Sequence, residues 1–162
     1  MKAQEKKAFW QSIKSGEFES MVRDTAKGQL LTNSTEVYNL MKPIMAGYEG
    51  VETCWFIFMD AKNRVIAIDK LASGSINSAS VYPREVVKAA ISRNAACAIM
   101  IHNHPSGDPT PSPEDHKLTK YVELILGVIG CTLHEHMIVG DGYYSFTDEG
   151  VMKMIKRQNA DF

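Results

Sequence analysis

The pattern of apolar and polar positions divides the chain into a helical N-terminal part and a longer part in which strands and helices alternate. Apolar residues recur at helical spacing up to about residue 45. Asn33 is a suitable N-cap for a helix through Met45, which Pro43 is expected to kink or to end early. We therefore predict an N-terminal helical extension over residues 1–45 and a second, larger domain over residues 46–162.

Aromatic and β-prone runs, separated by turn residues and helical segments, make up the larger domain. Strands are predicted for ETCWFIFMD, RVIAIDKLAS, AACAIMI, CTLHEHMIV and YYSF, and helices for REVVKAAISRN, LTKYVELIL and DEGVMKMIKRQ. Residues 74–80 are predicted to be a loop or a strand edge. The run AACAIMI is fully apolar, as is typical of a strand buried on both faces. The predicted fold class is therefore α/β, with a mixed sheet flanked by helices in three layers.

Composition narrows the choice of partners and compartment. The 162 residues include 18 basic and 19 acidic side chains, so the net charge of −1 gives no reason to expect a nucleic-acid partner. The three cysteines form no CxxC pair and are predicted to be buried and reduced. No signal-peptide core and no apolar run long enough for a membrane span is visible, so we expect a cytoplasmic protein without a membrane partner.

The candidate chemistry lies in one stretch, IHNHPSGDPTPSPED. Alternate strand residues point to the same face, so His102 and His104 project together from the end of a buried strand. Pro105 ends that strand because it cannot donate to the ladder, and a loop of turn-forming residues follows. The loop returns Ser112 and Asp115 at the start of the next helix. Two imidazoles and one carboxylate can therefore converge on a single point.

Zinc prefers such a ligand set, with nitrogen and oxygen atoms at about 2.0–2.2 Å. Three protein ligands leave a fourth position for water, whereas structural zinc sites are more often closed by four ligands that include Cys. A water bound there would have a pKa of about 7 and could act as the attacking group. Each part also has a simpler explanation. The histidines could be half-exposed strand residues, and Ser112 with Asp115 could be only a capping box.

The spacing His102-x-His104-Pro105 followed by Ser112-x-x-Asp115 resembles the metal motif of the JAB/MPN (JAMM) metalloprotease family. The string HNHPSGDPTPSPED is similar to the bacterial RadC-like branch of that family, as are ETCWFIFMDAKNRVI, VYPREVVKAAISRNAACAIMIHNHPSG and HMIVGDGYYSF. The resemblance implies a cytidine-deaminase-like three-layer fold and one zinc ion per chain. It also implies hydrolysis of an amide bond in a peptide or an isopeptide-linked protein substrate.

Further site residues are implied by the same resemblance. The family uses an upstream glutamate as general base, and Glu52 fits by its position at the start of a strand. Glu85 is the competing candidate, although it is more simply a first-turn charge that complements a helix dipole. The serine of the motif, Ser112, is implied to stabilise the oxyanion of the tetrahedral intermediate. Glu135 stands before His136 where the branch commonly has an aspartate, which leaves the role of an acidic partner open.

Sequence features also bear on three other functions. A non-catalytic MPN interaction module is one alternative, since fold does not fix function. A DNA-repair role is associated with RadC-like proteins, but DNA as a partner is weakly supported. Residues 1–45 are too short for the N-terminal helix-hairpin-helix region that full RadC-like proteins carry, and no basic stripe is present. A nucleobase deaminase is disfavoured because the HxE…PCxxC signature is absent. The second HxH pair, His134 and His136, is interpreted as structural or surface residues rather than a second metal site.

Overall fold

The computed structural model describes residues 1–76 and 80–162. Within those residues one sheet is formed by the strands β1 (Thr53–Met59), β2 (Val65–Ser73), β3 (Cys97–Asn103), β4 (Thr132–Gly140) and β5 (Gly142–Ser145). Their order across the sheet is β2-β1-β3-β4-β5. β3 and β4 are parallel and the other neighbours are antiparallel, which confirms the predicted mixed sheet.

Helices cover both faces of this sheet and complete three layers. They are α1 (Ala3–Ser15), α2 (Glu17–Thr25), α3 (Ser34–Met45), α4 (Pro83–Ser92), α5 (Pro113–Val128) and α6 (Val151–Asn159), with a short 3₁₀ turn at Ala46–Tyr48. Apolar residues of α4, α5 and α6 pack on one face. Residues of α3, together with the segment that precedes it, pack on the other. The predicted α/β class with flanking helices is therefore confirmed.

The alternation of side chains along the central strands explains why two separate cores form. In β1, Phe56 and Phe58 enter the core under α5, whereas Trp55 and Ile57 enter the core under α3. All residues of β1 are buried, and β3 is buried up to His102. Burial of each large apolar side chain contributes about 1.5–3 kcal/mol relative to exposure. The prediction of a strand buried on both faces is confirmed for CAIMI, whereas Ala95 and Ala96 precede the strand and are half-buried.

The N-terminal part is helical, as predicted, but two local details differ. Asn33 caps α3 by accepting a hydrogen bond from the Glu36 amide at 2.9 Å. The Glu36 carboxylate accepts a hydrogen bond from the Thr32 amide at 2.7 Å rather than from the Asn33 amide, so Asn33 and Glu36 do not form the reciprocal pair of a capping box. Pro43 lies inside α3 and does not end it, because the helix continues to Met45. The domain boundary at residue 45 stays a prediction.

The segment after β2 is irregular over residues 74–76, as expected for a loop. The remainder of that predicted loop, residues 77–79, lies outside the described residues. The cysteines Cys54, Cys97 and Cys131 are free and buried, as predicted. Within the described ranges, no helix has the length and apolar character needed to span a membrane.

Candidate metal centre

The side chains of His102, His104 and Asp115 meet at the end of β3. His102 Nε2 lies 3.0 Å from His104 Nε2. One carboxylate oxygen of Asp115 lies 3.2 Å from His102 Nε2, and the other lies 3.2 Å from His104 Nε2. One ligand atom from each residue falls within 4.8 Å of the others, so this cluster could hold a metal ion. The two-residue spacing on β3 explains why both rings face the start of α5.

Asp115 belongs to a capping box as well as to this cluster. The Ser112 amide donates to Asp115 Oδ2 at 2.7 Å, and the Asp115 amide donates to Ser112 Oγ at 3.2 Å. Burial opposes ionisation of Asp115. The contact with His102 and the hydrogen bonds with Ser112 outweigh it and hold the carboxyl pKa below its usual range. The two interpretations of this motif are therefore compatible, since the cap fixes a carboxylate that also faces the histidines.

The loop that follows β3 orients the ring of His104 by a hydrogen bond from Nδ1. Its Nδ1 lies 2.8 Å from the carbonyl oxygen of Asp108. A carbonyl can only accept, so Nδ1 carries a proton and donates. Nε2 is therefore the nitrogen left to bind a metal, and it faces the cluster.

The same loop packs against the turn between β4 and β5. The Asp141 amide donates to the Gly107 carbonyl oxygen at 2.6 Å. Gly107 has a φ of 89°, a conformation that favours glycine. A Cβ built on Gly140 would lie 2.3 Å from the Gly107 carbonyl oxygen and 3.1 Å from the Pro109 nitrogen. The two backbones are therefore in a contact that leaves no space for a side chain at residue 140.

We expect Gly140→Ala to destabilise the protein and to weaken metal binding. The added methyl group meets backbone atoms, which cannot move away as a flexible side chain can. Overpacking of this kind costs about 1–3 kcal/mol. Displacement of the loop also moves the Asp108 carbonyl that orients His104. Chemical denaturation and zinc titration of the variant measure the two effects.

Gly127→Ala is the matched control for that substitution. Gly127 lies in the last turns of α5, and a Cβ there meets nothing within 4 Å. Replacing a helical glycine by alanine stabilises a protein by about 0.4–1 kcal/mol. An equal loss of stability in the two variants would contradict the proposed close contact at Gly140.

Glu52 and Glu85 occupy different parts of the molecule. The β1–β3 register ends with Cys54 opposite His102, and Glu52 lies two residues before Cys54, immediately ahead of β1. Glu52 is not one of the clustered ligands. Its Oε2 accepts a hydrogen bond from the Ile76 amide at 2.7 Å. Glu85 lies in the first turn of α4 and lines a separate groove that also contains residues of α2 and β2.

Asn103, between the two histidines, holds the segment that carries Glu52. Its side-chain oxygen accepts from the Thr53 amide at 2.7 Å and from the Thr53 hydroxyl at 2.9 Å. Its side-chain nitrogen donates to the Val51 carbonyl at 2.9 Å. Both neighbours of Glu52 are thereby tied to the ligand strand. Sequence reasoning did not identify this role, since hydrogen bonds between residues fifty positions apart leave no local pattern.

Family comparison agrees with this geometry. The sequence model of the RadC-like JAB domain family matches residues 31–151, which include every residue of the cluster. The chain belongs to the RadC-like JAB domain family.

Curated relatives of this RadC-like JAB domain are bacterial UPF0758 proteins. The relative from Desulforudis audaxviator is 45% identical over 94 residues, which cover 58% of this chain and 41% of the relative. The relative from Symbiobacterium thermophilum is 41% identical over 123 residues, with coverages of 75% and 52%. The chain thus spans about half the length of the curated relatives it matches. The JAB domain family includes hydrolases, but the names of these relatives state no activity.

A third histidine beside the cluster of this RadC-like JAB domain, His136, was not predicted at the site. It is fully buried on β4, with Nε2 2.8 Å from His102 Nδ1 and Nδ1 2.6 Å from Thr119 Oγ1. Its ring stacks on Phe146 at 4.6 Å between centroids. Burial lowers its pKa well below the usual range, which favours the neutral ring. The available signal was the apolar run that follows it, which marks a buried strand position.

Glu135 points away from the cluster, on the opposite face of the sheet from His136. Its Oε1 accepts from the Thr147 amide at 3.0 Å, and its Oε2 accepts from the Ser145 hydroxyl. It therefore organises the turn after β5 rather than contacting the metal ligands. Burial raises the pKa of this carboxyl, and the hydrogen bonds from Ser145 and Thr147 only partly oppose that shift.

The raised pKa of Glu135 predicts a pH-dependent stability. Above the ordinary Glu value of 4.5, the unfolded chain releases a proton that the folded protein retains. The contribution of Glu135 to the free energy of unfolding therefore falls as pH rises towards its folded-state pKa. Glu135→Gln lacks this titration, so we expect the variant to lose less stability, or to gain more, than the wild type as pH rises through the same window. Urea denaturation at several pH values measures the slope, and the exposed Glu149→Gln is expected to keep the wild-type slope.

Proposed function

We propose that this chain is a zinc-dependent metallopeptidase or isopeptidase. The observation that carries the proposal is the meeting of His102, His104 and Asp115, with each histidine presenting Nε2 to the carboxylate. Two neutral nitrogens and one carboxylate are a typical donor set for catalytic zinc. When bound, zinc supplies Lewis acidity, which lowers the pKa of water and polarises a carbonyl group.

Glu52 is proposed as the general base. It immediately precedes β1, the neighbour of the ligand strand β3, and Asn103 holds the residues on both sides of it. The hydrogen bond from the Ile76 amide fixes one carboxylate oxygen. Glu52 would take a proton from the attacking water and deliver it to the leaving amine. Glu85 is not proposed for this role, because it lines a different groove.

Ser112 is proposed to stabilise the oxyanion. In the capping box its Oγ accepts a hydrogen bond from the Asp115 amide, so its own hydroxyl hydrogen is not used by that bond. A half-buried hydroxyl beside the ligand carboxylate could donate this hydrogen to a developing negative charge. Loss of one such donor in a hydrolase typically costs about 2.7–4 kcal/mol of barrier.

The test combines elemental analysis with hydrolysis assays on the purified chain. We expect one zinc per chain and cleavage within a panel of peptides and lysine-linked isopeptide conjugates. Removal of zinc by a chelator should abolish cleavage, and added zinc should restore it. A protein without bound metal would contradict the proposed centre.

Other outcomes of the same assays separate the alternatives. A fully zinc-loaded chain that leaves every conjugate intact would favour a non-catalytic interaction module. DNA binding is measured at stated salt concentrations, since nonspecific affinity falls steeply as salt rises. The balanced charge of the chain leads us to expect no tight DNA complex.

A further inference from the structure

The buried ring of His136 connects two of the candidate ligands. One ring nitrogen contacts His102 at 2.8 Å, and the other contacts the hydroxyl of Thr119 at 2.6 Å. The Thr119 hydroxyl in turn lies 2.6 Å from the main-chain carbonyl oxygen of Asp115. A continuous line of hydrogen bonds therefore runs from the helix that supplies Asp115 to the ring of His102.

The chemistry of the Asp115 carbonyl sets the direction of this line. A carbonyl only accepts, so the single hydroxyl hydrogen of Thr119 is donated to it, as helical threonines often do to the residue four positions earlier. Thr119 Oγ1 must then accept from His136, whose proton therefore sits on Nδ1. The neutral ring of His136 keeps a lone pair on Nε2 and accepts from Nδ1 of His102.

We propose that Thr119 and His136 are positioning residues that select the tautomer of His102 with its proton on Nδ1. This tautomer leaves the lone pair of His102 on Nε2, which faces Asp115 and His104. His104 is set in the same tautomer by a loop carbonyl, whereas His102 depends on two buried side chains. The role rests on the proposed metal centre but does not require that the chain hydrolyse any substrate.

We call the hydrogen-bonded line from Thr119 through His136 to His102 the relay. Measurements of zinc affinity test it without a substrate. Thr119→Val keeps the shape of the side chain and removes the hydroxyl, so we expect about 10–100-fold weaker zinc binding in competition with a chromophoric chelator. Thr119→Ser retains a hydroxyl that can make the same bonds and should bind zinc as the wild type does. Thr132→Val is the matched control, because Thr132 is exposed at the start of β4. Wild-type affinity in Thr119→Val would overturn the relay.

Nuclear magnetic resonance gives an independent readout on the wild-type protein. Long-range ¹H–¹⁵N correlations report which ring nitrogen of each histidine carries the proton. We expect protonated Nδ1 and unprotonated Nε2 for His136, and protonated Nδ1 for His102, in the zinc-loaded protein. A proton on Nε2 of His136 would overturn the proposal, even if Thr119→Val does not fold. Neither measurement depends on catalysis, so failure of the relay and failure of the proposed hydrolase are distinguishable.

Discussion

Glu52→Gln is expected to lower the rate of hydrolysis by about 10²–10⁴-fold while the zinc content stays at the wild-type level. The amide has nearly the same shape as the carboxylate, and its oxygen can still accept the hydrogen bond from the Ile76 amide. It cannot take up a proton from water, so the general-base step is lost. Zinc content is expected to persist because Glu52 is not among the clustered ligands.

Glu85→Gln is the matched control for this result. The same chemical change is made in the first turn of α4, where Glu85 lines a groove with Lys88 and Arg23. Steady-state rates and elemental analysis of both variants are compared with the wild type. Full activity of Glu52→Gln would remove Glu52 from the mechanism. Loss of activity in Glu85→Gln alone would assign the base to the competing glutamate.

His104→Ala is expected to abolish stoichiometric zinc binding and, with it, hydrolysis. The substitution removes one of three ligands and leaves His102 and Asp115, which are too few to hold a catalytic zinc. The fold should survive, because the His104 side chain is 15% exposed at the rim of the site and does not belong to either apolar core.

Thermal unfolding with and without zinc measures this loss directly. A ligand that binds only the folded state stabilises it by about 2.7 kcal/mol when present at about 100 times its dissociation constant. Zinc should therefore raise the melting temperature of the wild type and leave that of His104→Ala unchanged. His134→Ala is the control from the second HxH pair, where the exposed His134 contacts Asn63 at 3.1 Å. Loss of the zinc response in His134→Ala would contradict the assignment of ligands.

Local signals in the sequence predicted most of the secondary structure and the candidate ligand set. The apolar run before His102 identified a central strand, and the two-residue spacing placed His104 on the same face. The capping-box spacing of Ser112 and Asp115 identified the start of α5. These features depend on neighbours within a few residues, so they can be predicted from the sequence alone. Pro43 was harder to interpret, since packing of α3 on the sheet can maintain a helix that its local preference opposes.

Tertiary structure decided which residues surround that ligand set. His136 reaches His102 because β3 and β4 pair in parallel, and Thr119 reaches His136 because α5 packs over β4. Asn103 reaches Val51 only through the pairing of β3 with β1. By itself the sequence determined the strand, the loop and the helix that carry the ligands. The supporting contacts join residues far apart in the chain, and their geometry exists only after strand register and helix packing are established.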